Sequence, residues 1–244
     1  MMILANIRRT LGRDDAQLVL RILARGSQAE YARGEDLLRD EGIEVLLDDP
    51  RLPAALMEAR QGIRASYALF SYVIVRHALR SVGEQDRALA DYVASLLLEF
   101  GLRGRSTQVS DTDDARYDTL AELLGAVEGP DARRAFLVRA HLGNYALWLT
   151  GMFPESISAR HHRRGAPDID YYEAMGRRGY ELAAGHQLAS EHGLVPLYAA
   201  AAERFPLLRI ALNRVSDRYL FPTRSSPDRL MRQVRDESRW GLPS

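Results

Sequence analysis

Leu89-Ala90-Asp91-Tyr92-Val93-Ala94-Ser95-Leu96-Leu97-Leu98-Glu99-Phe100 is the stretch on which the fold turns. Leu89, Tyr92, Val93, Leu96, Leu97 and Phe100 fall at i, i+3, i+4, i+7, i+8 and i+11, one face of an α-helix, and Asp91 and Glu99 lie on its other face. Residues 84–102 therefore read as an amphipathic helix. The short Ser81-Val82-Gly83 turn leads back from it to 62–80, apolar nearly all round and so expected to be central and antiparallel to its neighbour.

The same period recurs outward in both directions, and sustained two-residue alternation does not. Asp14 or Asp15 is placed to cap a helix through Ala24, and further helices are expected over 28–39 and 53–60. Between the last two, 48–53 is a turn, because Pro50 and Pro53 each disfavour helix at the preceding residue. Downstream come helices over 116–127, from Pro130 at a first helical position, and from Asp168–Glu173, where Asp170 with Glu173 three residues on suggests a capping box. A last helix opens at Ser226-Pro227-Asp228 and runs to Trp240. Gly176 and Gly179, with Tyr172 and Ala183, make a thin helix face suited to close helix–helix approach. The expectation is an all-α fold: an orthogonal or antiparallel bundle of about eight to eleven helices without significant sheet. Residues 1–244 are read as one domain, and the polar, aperiodic loop 104–114 is where a subdomain boundary would fall.

Composition excludes several chemistries. The 244 residues are 46% hydrophobic and 27% charged, with zero formal net charge, so no global attraction to nucleic acid or anionic membrane is expected. All 33 basic residues are Arg, which removes Schiff-base, general-base and phosphate-loop Lys mechanisms. Cys is absent, removing disulfides, thiolate nucleophiles and Cys-held metals. The N-terminus lacks a signal-peptide pattern, and the longest uncharged apolar run, Ala65 to Val75, is short of the ~20 residues that span a bilayer. A cytoplasmic protein without a membrane span is the resulting expectation.

The chemistry is densest between Ala135 and Glu173. His141, Asn144, Tyr145 and Trp148 share a helix face by their i, i+3, i+4, i+7 spacing, and His77 and His186 lie in other apolar helical segments. These six are candidate ligand-binding residues, either orienting groups in a pocket or members of a hydrogen-bonded core network. After a break at Phe153-Pro154-Glu155, Arg160, His161, His162, Arg163 and Arg164 read as a basic turn able to accept an anion. The spacing of His and carboxylates gives no chelating pair, so no metal site is assigned. Asp113-Asp114 with Asp118, near Asp111, have the spacing of an Mg²⁺-diphosphate box but sit in a polar loop, where such residues usually cap helices. Arg232, Arg235 and Arg239 lie on one face of the last helix.

No nucleophile elbow, glycine-rich phosphate loop or cofactor motif occurs, so no cofactor and no catalytic residue is assigned, and the enzyme reading is the less favoured one. The leading expectation is a helical protein acting through a protein partner or homo-oligomer. The alternatives are a small-molecule binder or enzyme, with a pocket at His141, Asn144 and Tyr145 and a small anionic ligand at Arg160–Arg164, and nucleic-acid binding through that turn and the last helix. The interleaved acids weigh against nucleic acid.

Overall fold

Many of the helices begin where the sequence supplies a side chain for their free N–H groups, and α9, α12 and α13 begin instead with Pro in the first turn. In the computed structural model, which describes residues 3–58, 65–109, 116–117, 119–128, 131–223 and 226–242, fourteen α-helices are present among those residues. They are α1 (Arg13–Ala24), α2 (Gln28–Glu41), α3 (Ile43–Leu47), α4 (Leu52–Glu58), α5 (Tyr67–Ser81), α6 (Arg87–Leu97) and α7 (Leu120–Ala126). The second half holds α8 (Ala132–Met152), α9 (Pro154–Arg164), α10 (Ile169–Ala184), α11 (Gln187–Glu191), α12 (Val195–Glu203), α13 (Phe205–Val215) and α14 (Pro227–Trp240). Asp86 Oδ1 accepts from the Ala88 amide at 2.7 Å to start α6, and Asp131 Oδ1 from Arg133 at 2.8 Å to start α8. Thr119 and Glu122 form a reciprocal capping box on α7.

The all-α class holds, and the count exceeds the expected eight to eleven. The excess comes from five-residue helices such as α3 and α11, too short to show a period, and from α9. Two further corrections concern a helix cap and a helix end. Asp168, not Asp170, caps α10 through the Tyr171 amide at 3.0 Å. Residues 84–102 are not one α-helix: α6 passes into a π-helical turn over Leu98–Leu102. A second π turn, Ser216–Leu220, extends α13. Among the described residues the sole β pairing is an isolated bridge between Gln108 and Arg116. In the same set no helix is long and apolar enough to cross a membrane.

α8 is the centre. It packs against α10, α13, α7, α9, α11 and α6, and its buried residues run all round the helix, from Ala135 to Met152. The α8–α10 approach is set by glycine: a Cβ on Gly179 would lie 2.6 Å from the Gly143 amide nitrogen and 2.9 Å from the Arg139 carbonyl oxygen. α5 packs antiparallel to α6 and also against α13, and every apolar residue of the opening stretch's face, from Leu89 to Phe100, is buried. Buried apolar residues on both sides of the 104–114 loop belong to one cluster, with Val109 of that loop fully buried in it.

Candidate functional site

The His141–Trp148 stripe faces two different neighbourhoods. On a helix, His141, Tyr145 and Trp148 lie within ~60° of one another and Asn144 is ~40° beyond Trp148. Asn144 accepts at Oδ1 from the hydroxyls of Tyr92 and, at 2.9 Å, Tyr180. The Tyr198 ring packs 6.1 Å from that of Tyr92 and 6.0 Å from that of Tyr180. Burial raises the pKa of all three tyrosines, so they stay neutral; Tyr92 and Tyr180 are the donors, and the buried Tyr198 hydroxyl has no partner among the described residues. His141 turns the other way: its Nε2–H donates to the Ser106 carbonyl at 2.9 Å, and its ring stacks on Tyr145 at 6.1 Å. Phe100 packs against both His141 and Trp148. None of the four is more than 8% exposed, and this packing supports the core-network reading.

Burial lowers the His141 pKa from 6.5 to about 4, against the opposing pull of its bond to Ser106. Its folded pKa is the depressed one, so its contribution is fully present above pH 6.5 and fades as pH falls from 6.5 towards 4. Urea unfolding at a series of pH values is expected to show a loss of about 3 kcal/mol from this group across that window. His141→Gln, which cannot take up the proton, should remove that component of the slope. An unchanged slope in the variant would sink the assignment.

The other candidates scatter. His77 donates from Nε2 to the Leu47 carbonyl at 2.9 Å, and burial lowers its pKa, so its Nδ1 is a neutral acceptor. His186 is not inside a helix: its Nδ1 accepts from the Leu188 amide at 3.2 Å, capping α11. Arg160, His161, His162, Arg163 and Arg164 are not a turn. They are the exposed last turn of α9, ended by Gly165 in the left-handed conformation. Cations there complement the negative end of the helix dipole, and Arg160 and Arg163 donate back to the Ser156 and Ala159 carbonyls. His161 bonds to the Ala166 carbonyl at 2.7 Å through Nδ1, and His162 borders a groove beside α14. Asp111, Asp113, Asp114 and Asp118 lie outside the described residues. Among the described residues no three His, Asp or Glu side chains are grouped to hold a metal.

What sequence reasoning missed is an ion network between α9, α10, α13 and α14. Arg209 is 3% exposed and grips Asp236 with both terminal nitrogens, at 3.0 and 2.8 Å, while its Nε is bonded to Glu173. Burial pulls its pKa down, but Asp236 and Glu173 more than offset that and hold it charged. Asn213, one turn on, accepts from Arg209 and donates to the Thr150 and Gly151 carbonyls at 2.8 and 2.7 Å, fastening α13 to the end of α8. Arg232 is not a surface cation either: it is 6% exposed and reaches Asp217 at 2.8 Å and Glu155 at 3.4 Å. Arg229 meets the same Asp217 at 3.1 Å. Arg235 is exposed, and Arg239, also exposed, lies over the Trp240 ring at 5.6 Å. The sequence signal was Arg209 and Asn213 at i, i+4 within the apolar α13.

This network puts the polarity of α14 inside out. Its buried residues are Arg229, Arg232 and Asp236, while Leu230, Met231 and Val234 are 57%, 68% and 57% exposed. Two hollows flank the helix. One, of about 440 Å³, lies against α9 and is lined by Pro154, His162, Ile169, Met231 and Val234. The other, of about 520 Å³, lies against α4, α5 and the second π turn, with His77, Asp217, Arg218, Tyr219 and Glu237 among its walls. Fold and site together define a helical protein with a buried ionic seam, an outward apolar helix and a ligand-sized cavity. No protein-family model matches the chain, and no match is found among curated proteins or solved structures.

Proposed function

We propose that the protein is a helical interaction module that associates with a second copy of itself through the outer face of α14. The observation that carries this reading is the inverted polarity of that helix. A surface helix ordinarily buries its apolar stripe. Here Leu230, Val234 and Met231 fall within ~100° of one another and centre opposite the buried Arg229, Arg232 and Asp236. Three large apolar side chains are thus turned to solvent together, the arrangement of a face that is covered in use.

Charge placement selects a second copy as the cover. Asp228 and Arg235 are seven residues apart, so they lie on the same edge of the apolar face, and neither is in an ion pair among the described residues. In an antiparallel two-fold pairing centred between Met231 and Arg232, like edges meet. Asp228 of each chain then faces Arg235 of the other, giving two equivalent bridges around an apolar centre. The adjoining groove against α9 extends the contact toward the ~800 Å² per partner of a stable interface.

Sedimentation equilibrium over a wide concentration range tests this. The expected result is a dimer that Val234→Asp weakens by at least about a hundredfold, since it buries an unpaired charge. Asp228→Arg and Arg235→Asp should each weaken it, and the double exchange should restore it. A wild-type chain that stays monomeric, or a double exchange no tighter than the singles, overturns the reading.

A further inference from the structure

The cavity on the other side of α14 is built from groups that are mostly spent. Asp217 receives Arg232, Arg229 and Gln233, and Asp236 receives both terminal nitrogens of Arg209. Asn213 has its oxygen and its amide nitrogen engaged. Arg214 donates to the Ser81 carbonyl and hydroxyl. Setting all these aside, the charged groups on the walls are Arg218 and Glu237, with the His77 imidazole and the Tyr219 phenol beside them. Arg218 lies over the Tyr219 ring at 5.6 Å and makes no ion pair among the described residues. Glu237, half-buried on α14, is likewise without an ion pair among them. His77 offers Nδ1 as a neutral acceptor, because its Nε2 proton is committed to Leu47. Pro50, Pro53, Ala54 and Ile210 supply an apolar wall.

The volume, about 520 Å³, is in the range of small-molecule sites, ~300–1,000 Å³. The element carrying Arg218 adds a second argument. Ser216–Leu220 is a π-helical turn, poorer in hydrogen-bond geometry than an α-helical one and found disproportionately at functional sites. It widens the end of α13 so that Asp217, Arg218 and Tyr219 all reach the cavity. Beneath it the buried Arg209–Asp236 and Arg232–Asp217 pairs fix α13 and α14 together, giving the site a rigid floor.

From this lining we infer a binding site for a small zwitterion with a compact apolar side chain, of the free amino-acid class. One unspent cation and one unspent carboxylate face a shared apolar wall. A ligand bearing a single charge leaves the other wall charge uncompensated, whereas a carboxylate on Arg218 and an ammonium on Glu237 satisfy both, and His77 Nδ1 takes a second ammonium proton. The apolar side chain rests on the prolines and Ile210. Arg218 and His77 lie on other elements than the self-association face, and Glu237, seven residues after Leu230, borders that face on the edge away from Asp228 and Arg235.

Isothermal titration calorimetry of the full chain with leucine, valine and proline, each compared with its N-acetyl and C-amide form, tests the site. The free amino acids are expected to bind, and removal of either charge to weaken binding about tenfold or more, the worth of one charge-assisted hydrogen bond. The variants give a crossed pattern. Glu237→Gln should lose the preference for the free amine over the N-acetyl form while keeping that for the carboxylate; Arg218→Gln should do the reverse. Both side chains are solvent-reachable, so unchanged melting curves verify that the variants fold. Failure of all three free amino acids to bind, or losses that do not follow the residue replaced, overturns the inference. A wild-type chain that sediments as a monomer and still binds the amino acids leaves this site standing and removes only the association face.

Discussion

Replacing Arg209 with Met is expected to destabilise the protein by about 3–5 kcal/mol, because it strands the buried Asp236 and Glu173 carboxylates without the cation that pairs with both. The side chains of Arg209, Asp236 and Glu173 are 4%, 7% and 12% exposed. Removing the guanidinium leaves Asp236 ionised in a poorly solvated site or forces it to take up a proton, and either outcome costs free energy. The attraction itself is not the source of that figure, since desolvation of both partners offsets most of it. The double variant Arg209→Met, Asp236→Leu should therefore recover most of the loss, a buried ion pair being replaceable by apolar packing. Urea unfolding of the wild type, the two singles and the double measures all four corners of the cycle. A loss below about 1 kcal/mol in Arg209→Met would mean that water reaches the seam, and that the network does not hold α13 to α14.

The difference between what the sequence disclosed and what it hid follows the range of the interactions. Leu89, Tyr92, Val93, Leu96, Leu97 and Phe100 were readable because a helix face is a local pattern, and all six are buried. Gly176 and Gly179 were readable as a contact face because Gly in a helix interior is otherwise unfavourable. The seam was not readable. Arg209 finds Glu173 and Asp236 36 and 27 positions away, and no local spacing announces such a partner. The same contact explains why the expected Asp170–Glu173 capping box does not form. Glu173 has the spacing to complete a capping box with Asp170, but it is held by Arg209, and Asp168 caps the helix alone. α9 was read as a turn because its end is all basic, whereas Pro154 at its first position and Gly165 beyond its last are the signals that define it. The His141 stripe shows the limit of a one-face argument. A helix face ~100° wide can touch two neighbours, and Asn144 and His141 serve different ones.

The strongest test of the central packing is Gly179→Ala, expected to lower stability by about 3 kcal/mol and the melting temperature by roughly 6–12 °C. Intrinsic propensity points the other way, since Ala is favoured over Gly within a helix by ~1 kcal/mol. The steric term decides the sign. The new methyl would sit 2.6 Å from the Gly143 nitrogen and 2.9 Å from the Arg139 oxygen. Those are backbone atoms in the interior of α8, which cannot swing aside as a side chain can. Relief requires α10 to back away from α8, which would loosen the Tyr180–Asn144 bond at 2.9 Å. Gly125 in α7 is the control: it has normal helical φ, and a Cβ there meets nothing within 4 Å. Gly125→Ala should therefore be neutral or raise stability by up to ~1 kcal/mol. Thermal melts of the two variants beside the wild type separate the terms. Equal shifts at both positions would mean that backbone contact between α8 and α10 does not set their spacing.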